Sequence, residues 1–211
     1  MHTPERLIVE RGSRTGQPII VSIDSTRLGP ALGGCRIKTY PTWADGVADA
    51  VRLSAAMTEK AALAGLDHGG GKTVVALTGP PGDRSHLLAD IADVIDSLRG
   101  AYLTGPDVGS SPADMEEIGR RTKYVLCRPE PAGSGDSSGP TALGVTVSLE
   151  AVCEHLWPGR DLSSVSFSIL GLGHVGARVG AHLAGRGARL VVSDADPQRR
   201  ALAEARGRPV D

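Results

Sequence analysis

The chain has 211 residues, of which 40% are apolar, and its 23 basic and 24 acidic side chains leave a formal net charge of −1. This composition is typical of a globular protein and lacks the basic field that nucleic-acid binding requires. The sequence contains no apolar run of the roughly 18 residues that span a bilayer, and its N-terminus lacks the apolar core of a signal peptide. We therefore expect a cytoplasmic protein that binds neither nucleic acid nor membrane.

Cysteine and lysine are both rare in the chain. Cys35, Cys127 and Cys153 are far apart and lack the spacing of a metal site, so we expect reduced cysteines and no bound metal. Only four of the 23 basic residues are lysines. Because an ammonium can release its proton whereas a guanidinium does not, a lysine in such a chain is a candidate for proton-transfer chemistry.

Periodic apolar residues and turn residues predict alternating strands and helices in the N-terminal part of the chain. Strands are predicted at residues 6–10, 18–24, 35–40, 73–77, 101–105 and 123–127. Helices are predicted at 42–65, 85–100 and 110–121. Thr42 and Asp45 have the spacing of a capping box at the start of the first helix.

Three consecutive glycines, residues 69–71, precede Lys72 and Thr73. A phosphate-binding loop needs a glycine at the position that Leu66 occupies, and it leads from a strand into a helix, whereas this segment leads from a helix into a strand. We therefore exclude a nucleoside triphosphate site. The glycines predict a turn that lets a small molecule lie close to the backbone beside Lys72.

Residues 128–140 are rich in Pro, Gly and Ser and predict a linker between two domains, residues 1–139 and 140–211. A helix is predicted at 141–157, followed by a strand, a glycine turn, a second helix and a second strand. The glycine turn has the form G-x-G-x-x-G, follows an apolar strand and opens an amphipathic helix. Asp194 lies about twenty residues downstream, at the end of the second strand.

This context predicts a dinucleotide-binding turn, with a purely structural glycine turn as the alternative. The helix N-terminus would face the pyrophosphate, and Asp194 would accept hydrogen bonds from the adenosine ribose and repel a 2′-phosphate, so we predict NAD as the cofactor. His174 is more typical of a turn residue than of a ligand. The candidate cofactor contacts in this segment are Gly171, Gly173, His174, Val175, Gly176 and Asp194.

The residues after Ser164 suffice only for the adenosine half of a Rossmann domain. We therefore expect a C-terminally truncated chain of the α/β class. Its N-terminal α/β substrate domain would have a mixed sheet, and an incomplete Rossmann dinucleotide-binding domain would follow.

Five segments carry a resemblance to a known family. They are LGPALGGCR (28–36), AAMTEKAALAGLDHGGGKTVV (55–75), TGPDVGSSPADM (104–115), GPTALGV (139–145) and GLGHVG (171–176). In this order they resemble the glutamate/leucine/phenylalanine/valine dehydrogenase family over essentially the whole chain. The phenylalanine dehydrogenases are the most similar members, followed by the leucine and valine dehydrogenases.

The resemblance implies an NAD-dependent, reversible oxidative deamination of an L-amino acid to a 2-oxo acid and ammonia, in a homo-oligomer. It implies that Lys72 is the catalytic lysine, that Asp107 interacts with the amino group and transfers protons, and that Lys60 binds the substrate carboxylate. Gly33 and Gly34 would line the substrate, and Thr141 would lie near the cofactor.

The implied roles agree with the chemistry of the residues. Attack of water on an imine needs a base, and a desolvated lysine among glycines and beside Lys60 would favour its neutral form, as a base must. The alternatives are that Lys60 complements a helix C-terminus and that Asp107 caps a turn.

The sequence leaves the substrate and the activity of this chain open. Gly105, close to Asp107, leaves room for a large side chain, which favours phenylalanine; leucine and valine are the alternatives. The alternative to an enzyme is an inactive fragment that acts at most as a ligand- or partner-binding module.

Overall fold

The structure is a computed structural model and describes residues 3–131 and 133–206. It divides into two compact units between Asp136 and Ser137. The prediction placed this division slightly later, after residue 139. The last residues of the predicted linker belong instead to a helix that begins at Ser138.

The first unit is built on one five-stranded sheet. Its strands are β1 (Arg6–Arg11), β2 (Pro18–Ile23), β3 (Ala31–Thr39), β4 (Gly69–Leu77) and β5 (Tyr102–Pro106). Its helices are α1 (Trp43–Leu63), α2 (Arg84–Ser97) and α3 (Pro112–Gly119). The strand order is β1-β2-β4-β3-β5, with antiparallel pairs β1–β2 and β2–β4 and parallel pairs β3–β4 and β3–β5. The predicted mixed sheet is therefore confirmed.

Helix α1 begins with the capping box that the sequence predicted. The Asp45 amide donates to Thr42 Oγ1 at 3.3 Å, and the Thr42 amide donates to Asp45 Oδ2 at 2.9 Å. These bonds satisfy amides that the start of a helix leaves without an intrahelical partner. The helix ends at Leu63, and Gly65 follows with a φ of 65°, a conformation that glycine adopts without steric cost.

The glycine run 69–71 is part of strand β4 and not a turn, which corrects the prediction. All nine residues of β4 are buried, and none of the three glycines has a positive φ. Their missing side chains allow close packing of other groups. A Cβ on Gly70 would lie 2.1 Å from the Thr58 nitrogen of α1, and one on Gly71 would lie 2.5 Å from the Tyr102 ring. The glycines thus bring α1 and Tyr102 against the central strand.

Helix α1 covers one face of the sheet, and α2 and α3 cover the other. The core on the α1 face joins Ile20, Val74 and Ala76 of the sheet to Ala50 of the helix. The larger core on the opposite face contains strand residues such as Val21 and Val75 together with residues of α2 and α3. The helical members of that core include Leu87, Leu88, Ile91, Ala92, Val94, Ile95, Met115 and Ile118.

The strand predicted at 123–127 is reduced to a single bridge between Thr104 and Val125. Thr104 donates to the Tyr124 carbonyl at 3.1 Å and accepts from the Leu126 amide at 2.7 Å. Cys127 then takes a left-handed φ of 56°, which turns the chain out of the extended conformation. The strand prediction was therefore wrong in extent, because the chain leaves the sheet after one bridge.

The second unit contains a parallel pair of strands joined through a helix. Its elements are α4 (Ser138–Leu156), β6 (Ser166–Leu170), α5 (His174–Gly185), β7 (Arg189–Ser193) and α6 (Pro197–Arg206). The register of the strands runs from Ser166 opposite Arg189 to Leu170 opposite Ser193. In the part of the chain that the structure describes, this sheet has only these two strands. The predicted incomplete Rossmann domain is confirmed.

Candidate active site

Lys72 and Asp107 form an ion pair in the first unit, and the lysine is buried. Lys72 lies within β4, Asp107 directly follows β5, and Lys72 Nζ lies 2.9 Å from Asp107 Oδ2. The Lys72 side chain is only 6% exposed, whereas that of Asp107 is 23% exposed. The structure thus brings the two predicted catalytic residues together, with the carboxylate on the more open side.

Strand β3 lies between β4 and β5, so the ion pair reaches across it. The crossing occurs at Gly34, where an added Cβ would lie 2.8 Å from Asp107 Cβ and 3.2 Å from Lys72 Nζ. A Cβ on Gly33 would lie 1.8 Å from the Gly71 carbonyl oxygen. A side chain at Gly34 would therefore occupy the space where the two charges meet, and Gly33 is required by the packing of the strands.

Arg36, which the sequence analysis did not single out, is a second cation on Asp107. Its Nε donates to Asp107 Oδ2 at 2.8 Å, and its Nη1 donates to Asp49 Oδ2 of α1, also at 2.8 Å. The Tyr40 hydroxyl donates to the same Asp49 oxygen at 2.7 Å. Residues two positions apart in a strand point to the same face, so Arg36 lies on the same face of β3 as Gly34. This spacing is the sequence signal that indicates Arg36.

Hydrogen bonds from neighbouring side chains decide the charge of the two carboxyl groups. Burial acts to raise the pKa of Asp107, but the hydrogen bonds from Lys72 and Arg36 outweigh it and hold that pKa below its ordinary value. Burial also acts to raise the pKa of Asp49. Hydrogen bonds from its neighbours, of which that from Tyr40 has the largest effect, instead lower this pKa to about 2. Both carboxyl groups are therefore ionised at neutral pH.

Lys60 lies in the last turn of α1 with an exposed side chain. It forms no ion pair with any residue in the described ranges 3–131 and 133–206. The charge that the structure brings to Lys72 is the opposite charge of Asp107, whereas the sequence predicted the like charge of Lys60. A position near the end of a helix also fits the alternative, in which Lys60 complements the helix dipole.

The glycine turn of the second unit links β6 to α5 as predicted. Gly171 has a φ of 95°, and Gly173 is the N-cap of α5, without a side-chain hydrogen bond to the helix. A Cβ on Gly176 would lie 2.0 Å from the Gly171 carbonyl oxygen. Because no side chain caps the helix, its first amides are available to an anion such as a pyrophosphate.

Asp194 holds this turn in place. Its Oδ2 accepts from the Leu172 amide at 2.6 Å, and its Oδ1 accepts from the Asp196 amide at 2.8 Å. These two backbone hydrogen bonds, from Asp196 and Leu172, lower the pKa of Asp194. Arg199 Nη1 lies 3.8 Å from Asp194 Oδ2, so a cation also stands beside the predicted ribose contact.

The remaining predicted cofactor contacts lie at helix N-termini. Thr141 is exposed in the first part of α4, where its hydroxyl donates to the Ser137 carbonyl at 2.8 Å. His174, the first residue of α5, is exposed, and the side chain of Val175 packs against the core of the second unit. The side chain of Val175 is therefore partly taken up by packing.

The described residues also bear on metal binding and membrane insertion. They contain no group of three or more His, Cys, Asp or Glu side chains placed to hold a metal ion. Their helices include none with the length and apolar character needed to cross a membrane.

Comparison with known proteins identifies the family. The family model "Glu/Leu/Phe/Val dehydrogenase, dimerisation domain" matches residues 10–124. Valine dehydrogenase of Streptomyces coelicolor is 39% identical over 191 residues, which are 90% of this chain and 52% of that protein. Phenylalanine dehydrogenase of Caldalkalibacillus thermarum is 38% identical over 196 residues, which are 92% of this chain and 53% of that protein. The chain thus spans about half the length of these curated relatives.

Solved structures agree with the sequence comparison. L-tryptophan dehydrogenase from Nostoc punctiforme superposes with a TM-score of 0.69 and 33% identity, over 96% of this chain and 56% of that chain. The hetero-hexameric glutamate dehydrogenase of Thermus thermophilus, at 24% identity and a TM-score of 0.77, shares the fold over 96% of this chain and 55% of its own. From the family match and the identities to its relatives, the chain is a member of the Glu/Leu/Phe/Val dehydrogenase family.

Proposed function

We propose that the protein catalyses the NAD-dependent, reversible oxidative deamination of an apolar L-amino acid to its 2-oxo acid and ammonia. The observation that carries the proposal is the ion pair between buried Lys72 and Asp107 at Gly34, because these residues match the positions to which the family resemblance gives catalytic roles. The names of the relatives support an apolar substrate, since they are valine, phenylalanine and tryptophan dehydrogenases.

In this proposal Lys72 and Asp107 move protons around the substrate nitrogen and Cα. A hydride leaves Cα only when the amino group is neutral, so the substrate ammonium first gives a proton to Asp107, which passes it to solvent. Asp107 then takes a proton from Lys72 along their 2.9 Å hydrogen bond, which leaves the lysine neutral. When water attacks the iminium carbon, neutral Lys72 takes one proton from the oxygen and gives it to the nitrogen. As the C–N bond breaks and ammonia leaves, Lys72 takes the remaining hydroxyl proton, and Asp107 returns its proton to solvent.

Lys60 is proposed to bind the substrate carboxylate, and Gly33 and Gly34 to line the substrate. An exposed ammonium on α1 is free to meet an anion from solvent. Gly34 lacks a side chain, which lets Lys72 and Asp107 meet beside it, and the substrate amino group is proposed to approach this pair.

The second unit is proposed to bind NAD through the glycine turn and Asp194. The fit rests on the close approach of Gly176 to Gly171, the uncapped N-terminus of α5 and the carboxylate beside the turn. NAD when bound accepts the hydride. The α5 amides would hold its pyrophosphate, Asp194 would face its ribose, and Thr141 would contribute a hydroxyl.

Phenylalanine is the proposed substrate, with leucine and valine as alternatives. Gly105 is opposite Gly34 in the sheet, and the nearest atom to a Cβ built on it would be Cys127 Sγ, at 3.8 Å. An added Cβ would fit over Gly105, and we propose that this side of the sheet faces the substrate side chain. The protein is also proposed to form a homo-oligomer, which the description of its family model as a dimerisation domain supports.

The proposal is tested by following NADH absorbance with the purified protein and a panel of L-amino acids. We expect turnover with phenylalanine above that with leucine or valine, and the reverse reaction with the matching 2-oxo acid and ammonium. No turnover with any member of the panel overturns the proposal. Binding of phenylalanine without turnover would instead support a ligand-binding module.

A further inference from the structure

We propose that Arg36, anchored on α1 through Asp49, is a positioning residue that holds the Asp107 carboxylate against Lys72. The inference rests on the proposed function, in which Asp107 and Lys72 exchange protons. It assigns a task to a cation that has no place in the catalytic roles described above.

The first observation is that both cations share one oxygen. Arg36 Nε lies 2.8 Å from Asp107 Oδ2, and Lys72 Nζ lies 2.9 Å from the same atom. An arginine cannot take part in proton transfer, because its guanidinium stays protonated. Arg36 therefore fixes the carboxylate without competing for the proton that Lys72 exchanges.

The second observation is that Arg36 is itself held in place. Its planar guanidinium uses Nε for Asp107 and Nη1 for Asp49, each at 2.8 Å, so its orientation is fixed by two carboxylates at once. Asp49 is fixed in turn by the Tyr40 hydroxyl at 2.7 Å and by Arg52 Nη2 at 2.6 Å. The side chains of Arg36 and Asp49 are 17% and 15% exposed, so water competes little for these bonds.

The third observation concerns the charges that face Asp107. They are Lys72 on β4 and Arg36 on β3, and behind Arg36 stand Asp49 and Arg52 of α1. Removal of Arg36 leaves Asp107 with one cation and leaves Asp49 with Arg52 and the Tyr40 hydroxyl. We therefore expect both a displaced Asp107 and a carboxyl group that protonates more readily.

A merely structural role, in which Arg36 only ties α1 to the sheet, predicts a different result. With such a role, loss of the charge alone would still raise the pKa of Asp107 in Arg36→Met, but Arg36→Lys, which keeps the charge, would leave the titration of Asp107 unchanged. Arg14 offers a matched control, because its Nη1 also bridges two carboxylates, Asp90 at 2.8 Å and Asp93 at 2.7 Å. Neither of these carboxylates forms part of the candidate site.

The experiment compares Arg36→Met, Arg36→Lys and Arg14→Met with the wild type. Carbon-13 NMR follows the titration of the Asp107 carboxyl group, with an Asp107→Asn variant to assign its signal. In Arg36→Met we expect the pKa of Asp107 to rise by about one unit or more, which is the usual effect of one adjacent cation. In Arg36→Lys we expect a smaller rise, since one ammonium cannot bridge both carboxylates. In Arg14→Met we expect no change.

Turnover is measured on the same proteins. For Arg36→Met we expect kcat to fall about tenfold or more with little change in KM, because proton transfer depends on the position of Asp107. An unchanged Asp107 titration in Arg36→Lys, or an equal shift in Arg14→Met, overturns the inference. If the wild type shows no turnover, the proposed function fails, and the titration still decides the role of Arg36. If Arg36→Met does not fold, Arg36→Lys decides by the same titration.

Discussion

Lys72 Nζ donates to Asp107 Oδ2 at 2.9 Å, although strand β3, which contains neither residue, lies between their strands. The contact is possible because Gly34 of that strand, β3, has no side chain where the two groups meet. The ion pair, the missing side chain and the cation Arg36 therefore form one arrangement.

Gly34→Ala should impair turnover with every amino acid. The added Cβ would lie 2.8 Å from Asp107 Cβ and 3.2 Å from Lys72 Nζ, so one of the two groups must move. A displacement of about 1 Å in a catalytic group costs roughly 100-fold in rate, and we expect kcat to fall by about that factor. The measurement is NADH formation under saturating substrate. Turnover within about twofold of the wild type, by the same rate scale, would show that the site tolerates a side chain there.

Gly70→Ala should destabilise the first unit. Its Cβ would lie 2.1 Å from the Thr58 nitrogen and 2.3 Å from the Ser54 carbonyl oxygen, both backbone atoms that cannot turn away. Overpacking typically costs about 1–3 kcal/mol, and we expect the upper end of that range in the free energy of unfolding, measured with urea. Gly79→Ala is the control, since nothing lies within 4 Å of its added Cβ. Equal stabilities of the two variants would contradict the close packing of α1 on β4.

Stability should fall in acid, in part through Asp49. Its pKa in the folded protein is about 2, below the value of about 3.9 for an unfolded chain. A carboxyl group with a lowered folded pKa stabilises the protein above its unfolded pKa, and this contribution is lost as the pH falls from about 5 towards 2. Asp49→Asn should therefore lose less stability than the wild type between neutral pH and pH about 3.

Urea unfolding at several pH values measures this difference. Asp96→Asn, at an exposed position on α2, serves as the control. Its free energy of unfolding should change with pH as that of the wild type does. If the free energy of unfolding of Asp49→Asn changes with pH as much as that of the wild type, the ionised form of Asp49 adds nothing to stability.

Asp194→Asn should weaken the discrimination against a 2′-phosphate. The amide keeps an oxygen for the Leu172 amide but removes the negative charge, and it leaves Arg199 beside the turn without that carboxylate. We expect the affinity for 2′,5′-ADP relative to 5′-AMP to rise about tenfold, as measured by calorimetry. Asp161→Asn removes an equal charge from a surface turn and should leave the ratio unchanged. A ratio that stays constant in Asp194→Asn would exclude Asp194 as the selective group.

The features that sequence predicted correctly are set by neighbours in the chain. The capping box of Thr42 and Asp45 and the turn from Gly171 to Gly176 depend on residues three to five positions apart, so spacing alone identifies them. The family resemblance supplied the catalytic roles of Lys72 and Asp107, and the structure then brought these two residues together.

The features that sequence missed depend on distant parts of the chain. Three glycines predict a turn by local preference, but in β4 they make room for α1 and Tyr102, and that packing is not readable locally. The bond from Arg36 to Asp107 joins residues 71 positions apart, so the two-residue spacing from Gly34 indicates the face of the strand on which Arg36 lies but not its partner. The strand predicted at 123–127 ends early for a local reason, because Cys127 has a left-handed φ. The sequence does not indicate this conformation, since residues other than glycine rarely adopt it.

The most direct test of the proposed chemistry is the turnover of Lys72→Ala and Lys72→Arg with phenylalanine and NAD, compared with the wild type. Alanine removes the base, and arginine keeps the positive charge but cannot act as a base. If Lys72 takes the proton from the attacking water, kcat should fall by about 100-fold or more in both variants, and added methylamine should restore part of it only in Lys72→Ala. Turnover close to that of the wild type in either variant would contradict the account.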